Sequence, residues 1–541
     1  MRLEKIPNLP NIPDTEQTPA VRELFEVCTM QQEQLALQKE IIQNLRDEIA
    51  RLKGEKPKPD IKPSKLENDT RSDSDEDDKN RKDSKKRPGS RKKKKTQNLI
   101  IHNTVVCKPD NLPEGSRFKG YNDFFVQDLK IESYNVHYRL QRWQTPSGDY
   151  ITGKLPDDIS QGHFGNNLVG YILHQYHHAH VTQPLILEQL LEIGVDISAG
   201  QINRLITEGN ELFHAEKEDI LKAALAVSDY INVDDTGARH QGRNGYCTHI
   251  GNEMFAWFKS TQSKSRINFL TLLQGKHPGY LLNQDAFDYM KAHNLPQKTQ
   301  QTLALLQTKS IKDKHAWEAA LEGLDITSRQ HIRIATEGVM IAALLETRIN
   351  KNLAIISDDA GQFDILIHGL CWVHAERAIN KLVGYTDQQR QALELIQDQL
   401  WSFYADLKAY KKNPTPQKKV ELKADFDKLF NTETCYASLN DVLKRIHANK
   451  SELLLVLERP EIPLHNNLSE SDIREYVKKR KISGSTRSEN GRKCRDTFAS
   501  LKKTSRKLNI SFWAYLLDRL SGRNAIPPLG DFIYQHARAP S

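Results

Sequence analysis

The stretch Tyr230-Ile231-Asn232-Val233-Asp234-Asp235-Thr236 is a short, largely apolar run that stops abruptly at two carboxylates. Such a run, bounded by acids, reads as a buried strand that delivers an aspartate at its end. Downstream, residues 247–251 and 254–258 give two further strands around a Gly251-Asn252 turn, and a helical run begins near Ile267. Residues 353–356 then repeat the opening pattern, a buried-type strand that ends in Ser357, Asp358 and Asp359. Residues 363–368 read as helical, 370–373 as strand and 375–382 as helix.

Three antiparallel strands followed by helix–strand units is the order of an RNase H-like fold. The expectation is therefore an α/β core over residues 225–485, with helix-rich insertions at roughly 275–350 and 385–460. A third acid comes from Asn466-Asn467-Leu468-Ser469-Glu470, which opens a helix running through Arg474 and Lys478. Those two cations lie four and eight residues beyond Glu470, on its face of the helix, where they can meet phosphates. The pattern has a chemical rationale. Phosphoryl transfer on DNA uses two divalent ions about 3.5–4 Å apart, and magnesium demands hard oxygen ligands. Asp234 and Asp358, each ending a short apolar strand, can meet at one sheet edge. Consecutive strand residues face opposite sides, so only one of Asp358 and Asp359 can join them.

The rest of the chain frames this core. Its 541 residues exceed one compact domain. Residues 15–53 carry a heptad: Val21, Cys28, Leu35, Ile42 and Ile49 fall on one seam, Leu24, Leu45 and Leu52 on the other, and Gln31 and Gln38 interrupt the second. We expect a coiled coil here that makes the protein at least a dimer through residues 21–52. Residues 54–98 are almost devoid of apolar side chains and read as a disordered charged linker. Residues 99–158 read as a small β-rich module, with a strand at 134–140. Residues 159–224 read as a helical DNA-binding region of helix-turn-helix type, in which Leu187, Leu190 and Leu191 supply a stripe, Gly194 a turn and Ser198 a cap. Residues 486–541 form a basic helical C-terminal region. From Arg474 to Lys507 thirteen Lys or Arg stand against three acids, whereas the whole chain carries +8. The six cysteines are scattered, which argues against a secreted, disulfide-built protein. There is no apolar run of the roughly 18 residues a bilayer span needs, and a soluble cytoplasmic protein is expected.

The motifs resemble those of the insertion-sequence 66 transposases, within the broader DDE transposases and integrases. The matching residues are Asp234-Asp235-Thr236, then Cys371-Trp372-Val373-His374-Ala375-Glu376-Arg377, then Asn466, Asn467, Glu470 and Arg474. Arg480-Lys481, the group Ser500, Leu501 and Thr504, and Tyr515-Leu516 follow. The resemblance implies a catalytic, Mg²⁺-binding triad of Asp234, Asp358 and Glu470, with Mn²⁺ as a substitute. Asp358 is preferred over Asp359 because the family's aromatic five residues on is then Phe363. It further implies DNA contacts by His374, Arg377, Asn466, Asn467, Arg474, Lys478, Arg480 and Lys481. The implied activity is cleavage and strand transfer at the double-stranded DNA ends of a mobile element, in the bacterial cytoplasm at the nucleoid. Proteins from the same element are candidate accessory partners. The family's cysteine-rich zinc module departs here: its region keeps only Cys107, so no zinc is expected. Two rival readings are a catalytically inactive DNA-binding relic or regulator, and an RNase H-like nuclease that cuts without joining.

Overall fold

The computed structural model describes residues 18–52, 100–107, 110–111, 113, 116–156, 162–275, 279–306, 310–346 and 349–538. The expected linker at 54–98 lies outside these residues. Among them, no helix is long and apolar enough to cross a membrane.

A single helix, α1 (Pro19–Leu52), spans the heptad. Ala36 is buried against Val383 and Tyr385 of the body, whereas Leu24, Leu35, Ile42, Leu45 and Ile49 stay exposed. The strand expected at 134–140 does not form. Tyr134, Val136, Tyr138 and Leu140 are exposed and unladdered, and the strands of this region are instead Arg142–Gln144 and Tyr150–Thr152, a short hairpin. Alternation of apolar and polar residues suits a strand, but without a partner edge it makes none.

Helices α2 (Asn166–His177), α3 (Gln183–Glu192) and α4 (Ala199–Thr207) pack around Ile172, Ile186, Leu190, Ile197, Ile202 and Ile206. Gly194 takes the left-handed φ of 80° that turns the chain between α3 and α4. Ser198 caps α4 by accepting from the Gln201 amide at 3.2 Å. The buried stripe on α3 is Ile186 and Leu190; Leu191 points to solvent. Helix α5 (Glu211–Val227) leads into the sheet.

The central sheet has five strands: β1 (Tyr230–Gly237), β2 (Tyr246–Gly251), β3 (Ala256–Thr261), β4 (Ala354–Ser357) and β5 (Ile367–Leu370), in the order β3-β2-β1-β4-β5. The first three are antiparallel, whereas β4 and β5 run parallel to β1. Ile231, Asn232 and Val233 are all buried, as befits a central strand covered on both faces. Between β3 and β4 run α6 (Arg266–Gln274) and a helical insertion that ends in α7 (Arg329–Glu346), whose residues 334–344 are buried without a break. The helix expected at 363–368 is replaced by a loop that runs into β5, so that the strand expected at 370–373 lies three residues earlier, at 367–370. Its apolar residues fit either period, and here Phe363 and Ile365 are buried beneath a turn while Leu366 adopts a left-handed φ of 56°. Helix α8 (Trp372–Asn380) follows β5 at once. A second core, built on α8, α9 (Asp387–Lys412), α10 (Pro416–Phe430) and α11 (Ala437–Ala448), closes around Trp372, Phe403, Phe426 and Phe430.

Helices α12 (Asn467–Ser483), α13 (Glu489–Lys507) and α14 (Phe512–Leu520) follow, and a last helix, α15 (Leu529–Arg538), packs Leu529 and Ile533 into the main core. Helix α13 lies along the outer edge of β3 and takes the place of a sixth strand. The β3 amides of Ala256, Phe258 and Ser260 donate to Thr504 Oγ1 (3.2 Å), Ser500 Oγ (2.9 Å) and Asp496 Oδ2 (2.7 Å). Edge amides point outward at every second residue and helix side chains recur on one face every fourth, so acceptors at 496, 500 and 504 serve three edge donors in turn.

Candidate functional site

The register of β1 with β4 pairs Tyr230 with Ala354 and Asn232 with Ile356. Continued two residues along parallel strands, it sets Asp234 beside Asp358 at the carboxyl end of the sheet. The Asp234 carboxyl is pushed up to about 7, first by burial and next by the charge of Asp358, with smaller pushes from Glu470 and Asp235 and an opposing hydrogen bond from the Asp235 amide (2.7 Å). Asp358 Oδ1 is buried without a hydrogen-bond partner among the described residues. Neither aspartate forms an ion pair among the described residues.

The neighbouring acids are separated by the pleat and the turn. Asp235 accepts from Thr248 Oγ1 (2.5 Å) and Gln362 Nε2 (3.1 Å). Asp359 is exposed and accepts from Asn449 Nδ2 at 3.4 Å, at the rim of a cleft between α8 and α11. The loop that carries Asp358 is tied to the insertion by Arg266. Its Nη2 donates to the Gly361 carbonyl (2.6 Å), and its Nη1 lies 3.5 Å from Glu337, which also accepts from the Tyr289 hydroxyl (2.7 Å).

Glu470 sits in the first turn of α12, where a carboxylate suits the helix N-terminus. Arg377 grips it at both oxygens, Nη1 to Oε1 at 2.8 Å and Nη2 to Oε2 at 3.3 Å. Arg474 lies 3.4 Å from Oε2 and His374 Nε2 3.8 Å from Oε1. The His374 imidazole is shifted down, chiefly by burial and then by Arg377. His374 and Arg377, expected to contact DNA, face the Glu470 carboxylate. Asn466 departs further from that expectation. It is fully buried, donates to the Val233 carbonyl (2.8 Å), accepts from Asn232 Nδ2 (2.9 Å), and its amide meets Cys371 Sγ (3.1 Å). Its side chain pins the start of α12 to β1, so the Asn-Asn motif here positions the helix. Asn467 beside it is half-buried.

The basic segment divides by helix face. Arg474, Lys478, Lys481, Lys493 and Arg506 are exposed, and Arg480 is half-buried, 3.5 Å from Thr236 Oγ1. Lys479, Arg495 and Lys502 are buried. Lys502 and Lys503 pair with Glu475, while Lys507 (2.7 Å) and Lys503 (3.3 Å) pair with Asp472. Asp472 also accepts from His249 Nε2 at 3.1 Å, and His249 Nδ1 meets Ser469 Oγ at 2.7 Å. This network locks α12 onto β2 and α13. Sequence reading missed Asp472, His249 and Arg266; the one available signal was an acid two residues after Glu470, on the opposite helix face.

The donor set partly fits a divalent cation. Asp234 and Asp358 are adjacent, mutually repelling hard-oxygen groups, one with a buried oxygen that no donor among the described residues reaches. Glu470 is held by Arg377, and among the described residues no three His, Cys, Asp or Glu side chains are gathered as a metal-holding group.

A family model described as "Transposase IS66 family" matches residues 354–494, a span that includes Asp358, His374, Arg377 and Glu470 but not Asp234. The uncharacterized protein y4jO of Sinorhizobium fredii is 42% identical over 317 residues, which cover 58% of this chain and 99% of that protein.

Proposed function

Because the chain belongs to the IS66 transposase family, we propose that it cuts DNA at the ends of a mobile element and joins the freed ends to target DNA. In this reading the five-stranded sheet is an RNase H-like core, and Asp234, Asp358 and Glu470 hold Mg²⁺, with Mn²⁺ able to substitute. The observation that carries it is the meeting of Asp234, partway along β1, with Asp358, just past the end of the parallel neighbour β4, with the charge of Glu470 felt at the same point. A metal pair there would activate the attacking oxygen and stabilise the leaving one. The chain's own groups supply the frame. Asn466 fixes the start of α12, Asp235 is kept to its own partners by Thr248 and Gln362, and Arg266 steadies the Asp358 loop. Exposed Arg474, Lys478 and Lys481 run along α12 from the site and offer phosphate contacts.

The α3–α4 pair is proposed to read element ends as a helix-turn-helix, and α1 to pair two chains through its exposed apolar residues. The enzyme would act in the bacterial cytoplasm, at the nucleoid. The test uses duplexes that carry the element's ends. Asp234→Ala, Asp358→Ala and Glu470→Ala should lose cleavage and strand transfer while retaining end binding, and Asp359→Ala should be milder than Asp358→Ala. Cleavage by any triad variant at the unmodified rate would overturn the assignment. Binding without cleavage by the unmodified protein would favour the DNA-binding relic.

A further inference from the structure

We propose that Arg377 is a built-in counter-ion that occupies Glu470 in place of a divalent cation, so that arginine and cation hold this carboxylate in alternation. The inference rests on the reading of Asp234, Asp358 and Glu470 as metal ligands and adds how that site is kept before loading.

Asp234 feels the charge of Asp358 and, more weakly, that of Glu470, and the structure treats the three acids unequally. Asp234 and Asp358 form no ion pair among the described residues, and one oxygen of Asp358 has no donor. Among the described residues Glu470 is the one of the three that meets a cation, in a two-pronged guanidinium grip that engages both of its oxygens. Side-on pairing of this kind is the strongest geometry available to a carboxylate and leaves little of it for another cation. Both partners are largely shielded, with side-chain exposures of 25% and 16%, so water screens the pair weakly. Arg474, at 3.4 Å and 68% exposed, is a lesser contributor.

The origin of Arg377 also matters. It projects from α8, directly after β5, so it belongs to the same strand–helix unit that follows Asp358. Glu470 comes from α12, nearly a hundred residues later. The grip therefore joins the two carboxylate-bearing parts of the site. When Glu470 turns to a cation, the released guanidinium stands beside the site with a fork that matches phosphate.

The test follows thermal unfolding of the full chain in chelator and across MgCl₂ and CaCl₂ titrations, for the unmodified protein, Arg377→Ala, Arg377→Lys and Glu470→Gln. Arg377→Ala should unfold at a lower temperature without cation, yet reach half of its cation-induced stabilisation at a roughly tenfold lower concentration, because the cation no longer displaces a charged hydrogen-bonded partner. Arg377→Lys, which keeps the charge and loses the fork, should fall between the two. In a Glu470→Gln background, Arg377→Ala should move the midpoint no further. A purely structural arginine would lower stability without moving the midpoint to lower concentration, and that result overturns the proposal. Should Arg377→Ala not fold, Arg377→Lys decides by the same criterion. Absence of any divalent response in the unmodified protein would remove the metal-site reading itself, and this inference with it. A normal response with an unshifted Arg377→Lys midpoint would remove the counter-ion alone.

Discussion

Asp234→Asn should stabilise the metal-free protein while abolishing its chemistry. In the folded chain the Asp234 carboxyl sits at about 7 rather than 3.8, raised first by burial and then by Asp358. A carboxylate whose folded value is raised resists ionisation, so its penalty is absent below the unfolded value near 4. The penalty grows as pH rises and is complete above 7. At about 1.4 kcal/mol for each tenfold change in proton affinity, the difference sets a ceiling of ~4 kcal/mol. An amide carries no charge to desolvate or repel, and its N–H₂ can donate to the unpartnered Asp358 oxygen. Urea unfolding in chelator at pH 5 and pH 8 measures the effect. The variant should gain up to those ~4 kcal/mol at pH 8, gain much less at pH 5, and lack the share of any stability decline between those pH values that Asp234 contributes. A variant no more stable than the parent at pH 8 would refute the claim that Asp234 and Asp358 confront each other unneutralised. Stability given up at a site of chemistry is a common exchange.

Asp472→Asn should cost about 3–5 kcal/mol, because it strands Lys507 and His249 without their carboxylate and leaves Lys503 with Glu475 only. Burial alone would raise this acid; the His249 hydrogen bond and the Lys507 and Lys503 charges instead hold it well below the usual range. Its contribution is present above the unfolded value near 4 and disappears as pH falls toward the folded one, which acid unfolding of parent and variant would reveal. Neutralising the exposed Lys478, Lys481 and Lys493 together should flatten the salt dependence of DNA binding, by up to about 0.9 in log–log slope for every phosphate that a lysine had neutralised. Lys502→Met should leave that slope unchanged and lower stability, and the opposite pattern would place the DNA surface elsewhere. Deleting residues 1–53 should leave single-end nicking and strongly reduce joined-end products; a truncated chain that still sediments as a stable dimer would remove α1 as the dimerising element.

Strand-bound acids were legible in the sequence because an apolar run followed by a carboxylate is a local signal. β1 and β4 lie where that signal put them, although β1 extends through Asp234 to Gly237. Residues 363–368 misled because four apolar residues in six satisfy both periods, whereas the loop is held by the tethers of Gly361 to Arg266 and of Gln362 to Asp235, both distant in the chain. The basic segment misled for another reason. A count of charge along the chain says nothing about the face of a helix, and Lys479, Arg495 and Lys502 turn inward while Lys478 and Lys493 turn out. Asn466 and Arg377 were legible as residues that matter but not as residues with these partners, because those partners are β1 and Glu470, far away in the chain.

The covering of β3 by α13 has a consequence for how the protein is made. Phe258 and the Ser500 that serves its amide are 242 residues apart. At the ribosome's pace of roughly 5–20 residues per second, the strand waits on the order of 10–50 seconds for its cover. During that interval its outer amides are open to any passing strand, including that of a neighbouring nascent chain. Copies of the gene interrupted before codon 489 would therefore yield an adhesive fragment rather than a weak enzyme, and their signature in a cell would be insolubility.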